Sequence, residues 1–244
     1  MTTDDAGGYT ESEYTRLLRT AKAKYAFESY GTVSTAPHAL WRHDVDLSVH
    51  RALRIAQIEA EEGVKSTYFF LLSGQFYNLF EPGIAARAMS ILELGHDLGV
   101  HLETTVQSGE GAAGIVEELT REQRILEELL GAPAKAFSFH NPGFGNDALS
   151  IDDDEVCGLV NTYGRSLRER YRYVSDSNGY WRHESLEIVL GLGERRLHVL
   201  THPGWWQEMP MQPRARVRRC LDGRAEAVLR DYDETLNEAG RQNR

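Results

Sequence analysis

Five short apolar runs punctuate the chain, and each ends on a residue able to bind a metal or move a proton. They span Ala39 to Asp46, Asp97 to Glu103, Lys135 to His140, Arg172 to Asp176 and Arg196 to His202. Most are separated by stretches with helical spacing. Leu17, Leu18, Ala21 and Tyr25 predict a helix over Tyr14 to Tyr30. Ser48 is placed to cap a second helix, whose stripe is Val49, Ala52, Leu53, Ala56 and Ala60, with Gly63 as its stop. Ser66 to Leu72 is an unbroken apolar and aromatic run, as expected of a strand buried on both faces. Further helices are predicted over Asn78 to Leu94 and along Ile115, Leu119, Leu126 and Leu130. Asn146 to Gly158 reads as an irregular loop. Its acidic stretch, Asp152 to Glu155, lacks the alternating spacing of a calcium loop and reads as a solvated turn. Val217, Leu221, Ala225, Val228, Tyr232 and Leu236 form the stripe of a long closing helix.

This alternation predicts one α/β domain over residues 13–240, with residues 1–12 a flexible start. When strands run parallel, their C-terminal ends emerge on one face, so the five polar tips should converge on a single site. One polar tip is an ordinary loop start; five together point to an enzyme pocket rich in carboxylate and imidazole.

Composition narrows the setting. A net charge of −10 without an offsetting basic and aromatic cluster argues against nucleic acid or an anionic membrane as partner. No apolar stretch approaches the roughly 20 residues of a membrane span. The first residues lack an apolar segment of the secretory kind, so the expected setting is the cytoplasm. Cys157 and Cys220 are too few for a disulfide framework and lack zinc-site spacing.

Asp44 and Asp46 lie at i and i+2, so on a strand both point to one side, their α-carbons roughly 7 Å apart. His101 and Glu103 repeat that geometry. An Asp, a His and one further donor suit a hydrolytic zinc-type centre with positions open to water. A second carboxylate as base and a distant His as acid would complete amide hydrolysis. His43 points away from Asp44, and His38, His50, His183 and His198 are expected to be structural.

Together these segments resemble polysaccharide deacetylases, the carbohydrate esterases with a chitooligosaccharide-deacetylase homology domain. The likeness rests on Arg42-His-Asp-Val-Asp46, Gly95 to His101, His140-Asn-Pro142, Asp176 to Trp181 and Leu200-Thr-His202, in order along the chain. It implies a distorted (β/α)7-type barrel of parallel strands, one divalent ion, zinc by expectation, and removal of an acyl group from an amino sugar. It assigns Asp44 as general base, His202 as general acid and Asp176 as the residue that holds His202. It makes Asp46 and His101 metal ligands and has Trp181 wall the pocket.

Two positions depart from the pattern. Thr105 stands where a second histidine ligand is expected. His140 stands where an arginine should pair with the base. His140 or Glu103 could take the vacant ligand place, and His140 is favoured because one imidazole is lost and another gained. His140 could equally hydrogen-bond Asp44 in the arginine's stead. Glu103 could contact substrate, and Trp205 and Trp206 could stack on a sugar ring or simply cover the barrel rim. The competing readings are a catalytically silent carbohydrate binder and a metal hydrolase of another carbon–nitrogen bond.

Overall fold

A computed structural model of the chain describes residues 8–32, 34–104, 111–142 and 148–242. Its elements run α1 (Glu11–Lys22), β1 (Ala26–Phe27), β2 (His38–Val45), α2 (Val49–Glu61), β3 (Thr67–Leu71), α3 (Pro82–Glu93), β4 (Asp97–Glu103) and α4 (Gly111–Leu130). They continue with β5 (Ala134–His140), β6 (Glu155–Val156), β7 (Leu159–Asn161), α5 (Arg165–Arg170), β8 (Arg172–Ser175), α6 (Leu186–Gly191), β9 (Arg196–Thr201) and α7 (Pro213–Glu238). The strands form one curled sheet in the order β6-β7-β5-β4-β3-β2-β9-β8, with β1 against the start of β2. All pairings are parallel except β6 with β7. The result is an α/β half-barrel of the distorted (β/α)7 type. No described helix is long and apolar enough to cross a membrane.

Side chains alternate across the sheet, as strand geometry requires. Ala39, Trp41, Val45, Tyr68, Phe70, Leu98, Val100, Leu102, Phe137 and Phe139 pack outward in the two clusters beneath the helices. The inward face starts apolar, with Leu40, Phe69 and Ala136 sharing a small cluster with Tyr30. Above them the inward positions turn polar: Arg42 and Asp44, His101 and Glu103, Ser138 and His140. Gly99 makes room for this column, because a Cβ there would lie 2.5 Å from the Phe69 ring.

The outer face of β2 holds a buried polar knot. Glu59 of α2 has no exposed surface. Its Oε1 accepts from the Tyr14 hydroxyl at 2.5 Å and lies 2.9 Å from His43 Nε2. Its Oε2 accepts from Ser66 at 2.6 Å and from Tyr68 at 2.7 Å. Burial alone would raise the Glu59 pKa, but the pull of His43 and His96 and these bonds bring it down to about 2. His43 is thus structural, as its orientation predicts.

Several expectations need correction. The first helix ends at Lys22, well before Tyr30, because the chain turns there to lay β1 beside β2. Residues 8–12 are anchored where fraying was expected: Tyr9 is buried, and Thr10 caps α1 by accepting from the Glu13 N–H. Ser48 does cap α2, accepting from the Arg51 N–H. The loop before Gly158 contains a hairpin that turns on Cys157 and Gly158, both at positive φ. The adjoining acids serve α5, Asp154 accepting from the Ser166 N–H and hydroxyl and Asp152 pairing with Arg165. The apolar stripe of α7 does not pack: Arg216 is the helix's only buried residue.

Candidate active site

The five predicted tips meet at the C-terminal mouth of the half-barrel, around a cavity of about 630 Å³. Asp46 is their centre. Its Oδ1 lies 3.1 Å from His101 Nε2, and its Oδ2 lies 3.8 Å from His202 Nε2 and 4.0 Å from His140 Nε2. A partner fixes the far side of each ring. Ser138 Oγ is 2.7 Å from His101 Nδ1, Glu103 Oε2 is 2.7 Å from His140 Nδ1, and Asp176 Oδ1 is 2.6 Å from His202 Nδ1. With Nδ1 occupied in all three, the Nε2 atoms are left to address the Asp46 carboxylate.

Asp44 sits one layer deeper, almost fully buried. Arg42 Nη2 donates to its Oδ2 at 3.1 Å, and Ser138 Oγ reaches its Oδ1 at 3.4 Å. Arg42 is itself 1% exposed, with its guanidinium 5.5 Å from the Phe69 and Tyr163 ring centroids. Its Nε and Nη1 meet no hydrogen-bond partner among the described residues. The ion pair with Asp44 is therefore its main compensation for burial. The arginine expected at position 140 is answered by one on the strand of Asp44 itself, and His140 does not bond Asp44.

Asp176 is wholly buried and heavily bonded. Besides the His202 ring it accepts from the His202 backbone N–H at 3.0 and 3.2 Å and from Trp206 Nε1 at 2.9 Å. Burial alone would lower the His202 pKa, but the Asp176 bond and charge, helped by Asp46 and Asp44, push it up to about 9. Burial would likewise raise Asp46, yet the His101 bond and the charges of His202, His101 and His140 hold it down to about 2. At neutral pH, then, His202 is an imidazolium and Asp46 a carboxylate.

The donor set suits a divalent ion in kind, one carboxylate with imidazoles already oriented by outer partners. Two ligands on a tetrahedral ion stand roughly 3.3 Å apart, close to the Asp46–His101 spacing, while His140 lies farther out. Accordingly, no group of three or more His, Cys, Asp or Glu among the described residues forms a ready cage. Thr105 lies outside the described residues.

The expected substrate contacts fare unevenly. Trp205 lines the cavity, with Tyr163, Tyr173 and Asn178. Trp206 has no exposed surface and is spent on Asp176, so it offers no face to a sugar. Trp181 packs against Tyr9 and Trp206, and Glu103 holds His140; neither is on the cavity wall. His183, expected to be structural, does line the cavity. Arg42 and Ser138 went unassigned in the sequence, although each lies two residues from an assigned tip on the same strand face.

No protein-family model matches the sequence. No curated protein matches it. Solved structures do resemble the fold. A family 4 carbohydrate esterase from Bacillus anthracis aligns at 14% identity and a TM-score of 0.46, covering 95% of this chain and 88% of its own. The Streptococcus pyogenes deacetylase PplD, in complex with acetate, aligns at 13% identity and 0.44, covering 85% of each. A mutant of BA3943, a CE4 family pseudoenzyme from Bacillus anthracis, with enzymatic activity restored, aligns at 15% identity and 0.44, covering 73% of this chain. The chain spans 60% of that protein's length. These neighbours are carbohydrate esterases and deacetylases, the group whose motifs the sequence resembles. At such distance the likeness carries no functional argument, which has to come from the site's own residues.

Proposed function

We propose that the chain is a metal-dependent hydrolase of the polysaccharide deacetylase type. It removes an acyl group, acetyl in the simplest case, from an N-acylated amino sugar, sugar nucleotide or glycan precursor. One observation carries this reading: a carboxylate paired with a buried guanidinium and an imidazole bonded to a buried carboxylate flank the same Asp46-centred cluster.

In this reading Asp44 takes a proton from water as the oxygen attacks the acyl carbon. The carbon–nitrogen bond then breaks as His202 Nε2 gives its proton to the departing amine, leaving a carboxylic acid and a free amino sugar. Asp176 keeps His202 charged and oriented for that transfer. Asp46, His101 and His140 are the residues that would hold the divalent ion, and Glu103 steadies His140 among them. When bound, such an ion polarises the acyl carbonyl and lowers the pKa of water. Trp205 offers the cavity an aromatic face for a pyranose ring.

The test is acetate release from N-acetylated amino sugars, their oligomers and sugar nucleotides, using protein purified without chelator. The expected result is turnover with close to one divalent ion per chain, and loss of both in His101→Ala. Metal-loaded protein that hydrolyses none of these substrates would overturn the reading. Thr105, standing where a second histidine ligand is expected, motivates the alternative of a silent carbohydrate binder. Sugar binding without metal or turnover would establish that alternative, and turnover only on a cyclic amide would move the activity to another carbon–nitrogen bond.

A further inference from the structure

The long C-terminal helix is amphipathic in the reverse sense. The side of α7 turned to the body carries Arg219, Cys220, Gly223, Ala227 and Arg230, which wall a cleft of about 540 Å³ beneath it. Two arginines fasten this side. Arg216 lies over the Tyr9 ring at 4.7 Å, and Arg224 makes a two-point bond to Glu81 at 2.9 and 2.6 Å. The opposite side holds the apolar stripe, and it faces solvent: Leu221 is 47% exposed, Val228 46% and Tyr232 55%. An apolar helix face left in water is unfavourable for a chain on its own and marks an interaction surface.

What covers that face can be read from its symmetry. Val217, Leu221, Ala225, Val228, Tyr232 and Leu236 follow one another at intervals of four, four, three, four and four residues. That spacing reads the same in both directions. Laid against an antiparallel copy of itself, Val217 meets Leu236, Leu221 meets Tyr232, and Ala225 meets Val228. Charge obeys the same dyad. Of the charges bordering this face, Arg214 and Arg218 lie in the first half of the helix, where Asp222 pairs with Arg218, and Asp231 and Asp233 lie in the second. An antiparallel partner brings Arg214 and Arg218 toward Asp231 and Asp233 of the other copy, whereas a parallel one sets like against like.

We propose that this face docks a second copy of the chain, α7 against α7, in an isologous two-fold dimer. The seam extends along the 26-residue helix, about 39 Å at 1.5 Å per residue. The inference stands apart from the proposed chemistry, since no active-site residue takes part.

Sedimentation equilibrium of the full chain tests it. Wild type should approach twice the 27.6 kDa chain mass. Leu221→Glu and Tyr232→Glu are each felt twice in an isologous pair, and each should weaken association by at least about a hundredfold. Both positions are exposed, so far-UV circular dichroism and the thermal midpoint of the variant monomers should confirm intact folding. Arg214→Glu with Arg218→Glu should be monomeric alone, as should Asp231→Arg with Asp233→Arg, and mixing the two chains should restore the dimer. Wild type that remains monomeric at every concentration reached would overturn the proposal. So would a dimer that survives Leu221→Glu, or a mixture that associates no better than its parts.

Discussion

Replacing Glu59 with Gln keeps the shape of the side chain and removes its charge, which isolates the electrostatic role of the knot behind β2. The carboxylate takes hydroxyl bonds from Tyr14, Ser66 and Tyr68 and faces His43 Nε2. An amide has one acceptor oxygen and two donors, so half of these partners would meet an N–H and lose their bond. Each buried hydroxyl left without its acceptor costs about 1–3 kcal/mol. Linkage gives a second route to the magnitude. Holding a carboxyl at about 2 when its ordinary value is 4.5 stabilises the folded state by about 3 kcal/mol at neutral pH. The two figures agree. For a depressed carboxyl, this stability is fully present above the unfolded value and is lost as pH falls through the folded one. Urea unfolding at pH 7 should therefore show Glu59→Gln about 3–5 kcal/mol less stable, with a midpoint about 6–20 °C lower in a thermal melt. Between pH 4.5 and 2 the wild type should lose most of that advantage, and the two curves should converge. A variant within about 1 kcal/mol of wild type at pH 7, or parallel curves down to acid, would refute the assignment.

Other sites give sharper contrasts. Arg42→Met leaves Asp44 buried beside an apolar chain; about 3–5 kcal/mol of unfolding free energy should be lost together with turnover, and a stable, fully active variant would show that Asp44 needs no counter-charge. Asp44→Asn and His202→Ala should each lower turnover by about 10²–10⁴-fold while sparing metal content measured by elemental analysis; undiminished rates in either would remove that residue from the mechanism. Gly99→Ala forces a methyl onto the Phe69 ring and should cost about 1–3 kcal/mol in denaturant unfolding; Phe69→Leu in the same chain should recover part of it, and no recovery would place the strain elsewhere.

The site was legible in the sequence where one rule sufficed. Asp44, Asp46, His101, His140, Asp176 and His202 all close apolar runs, and parallel strands carry such ends to one face. Arg42 and Ser138 obey the same two-residue period, but they lie a layer deeper, where a polar residue reads as a local pairing. Glu59 gave no signal because a lone acid in an otherwise ordinary helix looks like surface. Trp206 illustrates the converse: an aromatic close after His202 suggests a sugar platform, and only packing shows its indole bonded to Asp176. The hairpin of β6 and β7 is too short for any period to register. For α7, periodicity located the apolar side correctly but could not say which way that side would face.

Ser138 couples two halves of the site. One hydroxyl lies between His101 and Asp44, at 2.7 Å from the first and 3.4 Å from the second. Neither neighbour moves by itself: replacing His101 also releases the hydroxyl that steadies Asp44. A change at Ser138 disturbs both at once. The three positions therefore act as one mechanical unit, so that a perturbation entering at any of them reaches the other two.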